Sequence, residues 1–183
     1  MAAPFVPEDF EPPPGLRTSG FVLEPLGPQH NQRDHAAWTS SIEHIHATPG
    51  YDDEPDDPDP WPLAMTLSEN LADMEMHARH FRDREGFTYT VLDPADGDVI
   101  GCVYIYPPLD ATHDARVQSW VRVSRADLDT PVWHAVSGWL AGGAWPFERA
   151  RYAPRADAQN APSHHPGCEP NSSHPGSAPT TTL

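Results

Sequence analysis

The chain has 183 residues, the length of one ordinary domain. It carries 27 acidic residues against 11 basic ones, all of them arginine, for a net charge of −16 with histidines neutral. That balance excludes a nucleic-acid partner, because neutralising phosphate needs a basic surface, and it excludes docking on an anionic membrane. It leaves open an acidic cleft that attracts a cationic amine and an acidity that serves only solubility.

Only 38% of the residues are hydrophobic, and many of the 23 prolines lie outside the central part of the chain. The ordered core is expected over residues 16–155, long enough to bury a real interior. Of the two cysteines, Cys102 falls in an expected core strand and Cys168 in the tail. No disulfide is expected between them, and the pattern suits a reducing cytoplasm. The N-terminus lacks a basic segment followed by an apolar run, so no signal peptide is expected. No apolar run approaches a membrane span.

Residues 1–19 hold five prolines without periodicity and read as an arm on the domain surface, anchored by Phe5, Val6 and Phe10. FVLEPL (21–26) reads as a short strand ended by Gly27-Pro28. A helix is expected over 29–47, with Trp38, Ile42 and Ile45 at helical spacing and Pro49-Gly50 as its stop. Of residues 52–60, six are acidic and three are proline. Like charges repel and proline breaks pairing, so this is a loop. Thr66 and Glu69 make a capping-box signature. Behind it Leu67, Leu71, Met74, Ala78 and Phe81 form a helical stripe to about residue 85, ended by Gly86.

FTYTVLD (87–93) alternates as a half-buried strand does. Pro94-Ala95-Asp96-Gly97 is a hairpin turn. VIGCVYIY (99–106) is the most apolar strand, closed by Pro107-Pro108, and ARVQSWVRV (115–123) follows. Thr130-Pro131 opens a helix, with threonine as cap and proline in the first turn. Val132, Trp133, Val136 and Leu140 form its buried stripe. ERARYAPR (148–155) is a last short strand. Beyond it, residues 156–183 hold too few large apolar side chains to order themselves. The result is an α/β (α+β) domain with a mainly antiparallel sheet flanked by helices.

The stretch from Asp98 to Gly143 runs DVIGCVYIYPP, ARVQSWVRV, SRADLDT, PVWHAVSGWLAGG. That order resembles the cofactor-binding heart of the GNAT superfamily of acyl-CoA-dependent N-acyltransferases. The resemblance extends over residues 20–155, and the nearest flavour is the ribosomal-protein N-terminal acetyltransferase branch. FVLEPLGPQH is similar to its opening strand and turn, and SWVRV to the strand whose splayed end admits the cofactor. The resemblance implies acetyl-CoA as co-substrate, with main-chain groups of Trp120, Val121, Arg122 and Val123 pairing with its pantetheine arm. The pyrophosphate would sit on amides near Arg125, Asp129, Thr130 and Val132, at a helix N-terminus. A primary amine, on a small molecule or a peptide, would attack the thioester directly while a base or water relay takes its proton. Strand amides would hold the oxyanion.

Two departures from the family pattern stand out. Its phosphate loop is rich in glycine, which lets the backbone approach the anion. Here the loop is SRADLDTP, with Asp127 and Asp129 where an anion should bind and Arg122 and Arg125 as the groups able to offset them. The family also continues with a helix and two strands that often supply a tyrosine acid for the leaving thiolate; here the chain passes into the proline-rich tail after Arg155.

Ser119, Glu24 and Tyr104 are the catalytic candidates, each weighed against an ordinary strand residue. His77 and His80 lie three apart on one helix face. A metal site needs further ligands, so they read as a solvated face and no metal is expected. His164, His165 and Cys168 would bind metal only adventitiously. Cys102 reads as buried and inert. Trp133, Trp139 and Trp145 read as core, with a homodimer face as the alternative. Two functions of different class follow: an acetyl-CoA-dependent N-acetyltransferase, or a GNAT-like module that binds without turnover.

Overall fold

The structure is a computed structural model that describes residues 4–51 and 61–155. The acidic loop expected at 52–60, the tail expected at 156–183 and Cys168 lie outside the described residues. The strands are β1 (Leu16–Arg17), β2 (Val22–Pro25), β3 (Phe87–Leu92), β4 (Val99–Tyr106), β5 (Ala115–Val121) and β6 (Ala150–Tyr152). They form one sheet in the order β1-β2-β3-β4-β5-β6, antiparallel except for the parallel β5–β6 pair. The helices are α1 (Asn31–Thr39), α2 (Ile42–His46), α3 (Leu67–Asp83) and α4 (Asp129–Ala141). The α/β class and the mainly antiparallel sheet are as the order of elements and the tight connections between the central strands predicted.

Paired residues on neighbouring strands point to the same face, so register divides the core in two. Phe87, Tyr89, Val91, Val103, Ile105, Val117 and Val121 join α4's Val132, Val136 and Leu140 in one cluster. Cys102 and Trp120 face the other way and pack with Ala37, Trp38, Ile45 and Met74 of the first three helices. Phe5, Phe10 and Leu16 pack against the α4-side cluster and Val6 is buried in it, so the N-terminal residues contribute to the interior.

Gly101 marks a close approach of β4 to β5. A Cβ there would lie 1.9 Å from the Trp120 carbonyl oxygen, which no side chain can meet.

β5 ends at Val121, short of the strand expected over 115–123, and four further boundaries differ, each for a local reason. The helix expected over 29–47 is preceded by a 3-10 turn and breaks at Ser40 and Ser41, giving α1 and α2. Both serine hydroxyls donate back to the Ala37 carbonyl at 2.9 Å, competing with the main chain for helical acceptors. α3 ends at Asp83 rather than near Gly86. Arg84 takes the left-handed conformation at φ 61°, held by its Nε donating to the Phe10 carbonyl at 2.9 Å. α4 begins at Asp129, so Thr130 sits inside the first turn and does not cap it. The preceding 3-10 turn, Val123–Leu128, already carries the backbone into helical geometry. The last strand is three residues long because its partner diverges beyond Val117.

Candidate functional site

β5 and β6 pair over Ala115–Ala150, Arg116–Arg151 and Val117–Tyr152, and then part. Ser119 lies just inside the resulting fork. Its hydroxyl is 2.5 Å from the Tyr152 hydroxyl. Burial pushes the Tyr152 phenol up to about 12, and its bond to Ser119 only partly offsets this.

Arg155 fills the fork. Its guanidinium donates to the Ser119 carbonyl at 3.0 Å and hydroxyl at 3.1 Å, and to the Pro49 and Ala153 carbonyls at 3.2 and 3.1 Å. It also makes a two-point pair with Asp129, from Nε at 2.6 Å and Nη2 at 3.0 Å. All three guanidinium nitrogens are engaged, and the side chain is only 3% exposed. Asp129 therefore faces a cation within the fold and makes no side-chain cap on α4.

The other expected cofactor residues are also committed. Arg122 pairs with Asp98 at 2.8 Å and Arg125 with Asp93 at 2.5 Å, both on the β3–β4 hairpin. The Ala95 amide and Arg125 together hold the Asp93 carboxyl below its usual range. The Val123 amide donates to Ser41 Oγ at 3.0 Å. Trp120 and Val121 are buried, and the Trp120 indole N–H donates to the Tyr104 hydroxyl at 3.2 Å. Val132 has its side chain in the core, while Thr130 is half-buried in the first turn of α4.

A pocket of about 340 Å³ adjoins the fork on the opposite face of the sheet. Gln118, next to Ser119, lies in its wall, along with Tyr51, Trp61, Tyr104, Asp73 and His77. Trp61 packs within 6.0–6.2 Å of Tyr51, Tyr104 and Trp120. The Tyr51 hydroxyl is buried and has no hydrogen-bond partner among the described residues. Burial raises both the Tyr51 and the Tyr104 phenol, so both stay protonated.

The three catalytic candidates do not converge. Tyr104 opposes Gln118 and Val103 opposes Ser119, so Tyr104 and Ser119 point to opposite faces. Glu24 lies three strands away from β5, about 14 Å at roughly 4.8 Å per strand. It accepts from His30 Nε2 at 2.7 Å, while His30 Nδ1 accepts the Gly27 amide at 3.2 Å. The second bond fixes the tautomer as Nε2–H.

His77 and His80 do not form a plain solvated face. They line the pocket, 12% and 28% exposed, with Nδ1 atoms 2.7 and 3.0 Å from the Tyr106 hydroxyl. The available signal was the row of Thr88, Tyr104 and Tyr106 on one face of two paired strands, opposite a helix carrying two histidines. For Tyr152 and Arg155 no sequence signal existed.

No protein-family profile matches the chain, and no curated protein matches it in sequence. Solved structures do match. The ribosomal-protein-S5-alanine acetyltransferase from Vibrio fischeri superposes with a TM-score of 0.52 at 11% identity, over 70% of this chain and 67% of that one. The microcin C7 self-immunity acetyltransferase MccE, in complex with acetyl-CoA and AMP, gives 0.54 at 12% identity, over 73% and 70%. A ribosomal L7/L12 alpha-N-protein acetyltransferase gives 0.51 at 8% identity, over 69% and 62%. The chain has the GNAT fold.

Proposed function

We propose that the chain is an acetyl-CoA-dependent N-acetyltransferase that moves the acetyl group to a primary amine by direct attack. The observation that carries this reading is the β5–β6 fork with a buried hydroxyl pair at its apex and an aromatic, acid-bearing pocket beside it. Likeness to acetyltransferase folds supports the same reading. In this reading pantetheine lies along the end of β5 at Trp120 and Val121 and on the start of the following turn at Arg122 and Val123. The diphosphate rests on the turn at Arg125 and the first turn of α4, from Asp129 through Thr130 to Val132.

As the amine nitrogen bonds to the acetyl carbon, the carbon–sulfur bond breaks and the thiolate takes a proton. Tyr152 is the donor, because its raised phenol stays protonated at neutral pH. Ser119, bonded to it, passes on the proton that the newly acylated nitrogen gives up, so the phenol is restored and both hydroxyls end as they began. Tyr104 shapes the acceptor wall, and Glu24, held by His30, takes no part.

The Arg155–Asp129 pair favours a second reading, a binding module without turnover, since it occupies the space pantetheine needs. Calorimetric titration of acetyl-CoA into the full chain and into Arg155→Ala, with thiol release in the presence of primary amines, separates the two. Heat and thiol release support the enzyme. Absence of both at millimolar acetyl-CoA in both proteins leaves the binding module.

A further inference from the structure

His77, Tyr106 and His80 share one hydroxyl between two imidazoles. Tyr106 Oη lies 2.7 Å from His77 Nδ1 and 3.0 Å from His80 Nδ1. A phenol has one proton, so it donates to one ring and accepts from the other. Two neutral arrangements satisfy both bonds, and the Thr88 hydroxyl, 3.0 Å from the same His77 Nδ1, can accept from or donate to that nitrogen in either. In the first, His77 carries its proton on Nδ1 and His80 on Nε2. In the second, His77 carries it on Nε2 and His80 on Nδ1.

The two arrangements differ by a directed transfer. Going from the first to the second, a proton arrives at His77 Nε2. The His77 Nδ1 proton passes to Tyr106 Oη, the Tyr106 proton passes to His80 Nδ1, and a proton leaves from His80 Nε2. The outer nitrogens each meet a carboxylate: His77 Nε2 lies 3.5 Å from Asp73 and His80 Nε2 lies 3.8 Å from Glu85. Each carboxylate favours a proton on its own side, so neither arrangement is locked. His77 is the more buried end and Glu85 is solvent-exposed, which gives the transfer an inside and an outside.

The groups around His77 fit this use. Asp73 and His80 face it from α3, Thr88 from β3 at 3.0 Å, and Tyr104 and Tyr106 from β4. Arg116 of β5 lines the same pocket. Burial raises the Tyr106 phenol, which keeps it in the hydroxyl form a relay requires. The cavity of about 340 Å³ sits at the small end of the roughly 300–1,000 Å³ of small-molecule sites. Its walls are aromatic faces, which attract cations, with a carboxylate beside them.

We propose that this pocket takes a primary arylalkylamine as its ammonium ion against Asp73, and that His77, Tyr106 and His80 relay the proton it must lose to the surface at Glu85. The relay rests on the acetyltransferase reading for its purpose and on geometry for its existence. One ammonium proton goes to His77 Nε2. The second leaves the nitrogen after the new bond forms and ends on the coenzyme A thiol.

The test uses the full chain, phenethylamine as probe, and NMR of nitrogen-15 histidine to read tautomers. His77 and His80 are expected in opposite tautomers, with phenethylamine shifting His77 Nε2, the shift lost in Asp73→Asn and the tautomer coupling lost in Tyr106→Phe. Both rings in the same tautomer, or an amine that leaves His77 unmoved, overturns the proposal. With acetyl-CoA present, Tyr106→Phe is expected to lower kcat for phenethylamine at least 100-fold, within the roughly 10²–10⁴ range of proton-transfer catalysis, with KM nearly unchanged. Undiminished kcat in Tyr106→Phe overturns the relay. Opposite tautomers and amine binding without any acetyl transfer uphold the site and sink the acetyltransferase reading alone.

Discussion

Arg155 and Asp129 meet in a two-point ion pair inside the β5–β6 fork, with bonds of 2.6 and 3.0 Å. The pair joins the last described residue of the chain to the first turn of α4, and through Ser119 and Pro49 it ties both to β5 and to the turn after α2. Removing one member of such a pair leaves the other charge without its counter-ion in a largely buried site. Arg155→Ala and Asp129→Ala are each expected to cost about 3 kcal/mol, measured by urea denaturation. The double variant should cost less than the sum, because the two share one interaction. Additive losses would show that the pair is not a unit.

The Tyr152 hydroxyl belongs to the fork and not to the fold's core energetics. Tyr152→Phe keeps the ring against Trp133, 5.9 Å away, and removes only the bond to Ser119. A loss of about 1 kcal/mol in stability is expected, with acetyl transfer falling about 100-fold or more. Because its phenol is raised to about 12, phenolate absorbance from Tyr152 should be absent at pH 10. Difference spectra of wild type against Tyr152→Phe check this directly.

Asp34 gives a signed pH dependence. It is buried between α1 and β4, accepting from Asn70 Nδ2 at 3.2 Å and from the Cys102 thiol at 3.4 Å. Burial is the largest influence and raises its carboxyl above the usual range. The folded state thus holds the proton more tightly than the unfolded chain. Its contribution is full below the ordinary aspartate value near about 4 and is lost as pH rises through the raised value. Asp34→Asn, which does not ionise, should gain stability relative to wild type between pH 4 and pH 7. Denaturation at both pH values measures it, and a relative loss over that interval would contradict the burial assignment.

Gly101→Ala tests the close approach of β4 to β5. Its Cβ would meet the main-chain oxygen of Trp120, which cannot move without breaking the β4–β5 ladder. A loss of at least about 3 kcal/mol is expected, the scale of severe overpacking. Near-wild-type melting would show that the two strands are not held at this spacing.

Much of the fold was legible because it depends on local rules. The alternation in FTYTVLD and the apolar run VIGCVYIY marked two central strands, but β3, expected half-buried, is buried on both faces because helices cover both sides of the sheet. The Thr66–Glu69 capping box is formed as its spacing required, with Thr66 N–H donating to Glu69 Oε2 at 2.7 Å. The helix breaks were harder. Ser40 and Ser41 interrupt a pattern whose apolar residues run on through Ile42 and Ile45, and only hydroxyls turned back to Ala37 reveal the break.

The sequence by itself determined the order of strands and helices and the acidity that suits an amine. These follow from periodicity, caps and charge, which act between residues near one another in the chain. Only the tertiary structure decided the site. It brought Arg155 to Asp129 across 26 residues and to Pro49 across 106, and Tyr106 to His77 across 29. Such pairs arise where β5 parts from β6 and where α3 crosses β4. No local propensity encodes a meeting between side chains so far apart, so the expected phosphate-facing aspartate is instead bound to an arginine and the expected surface histidines line a pocket.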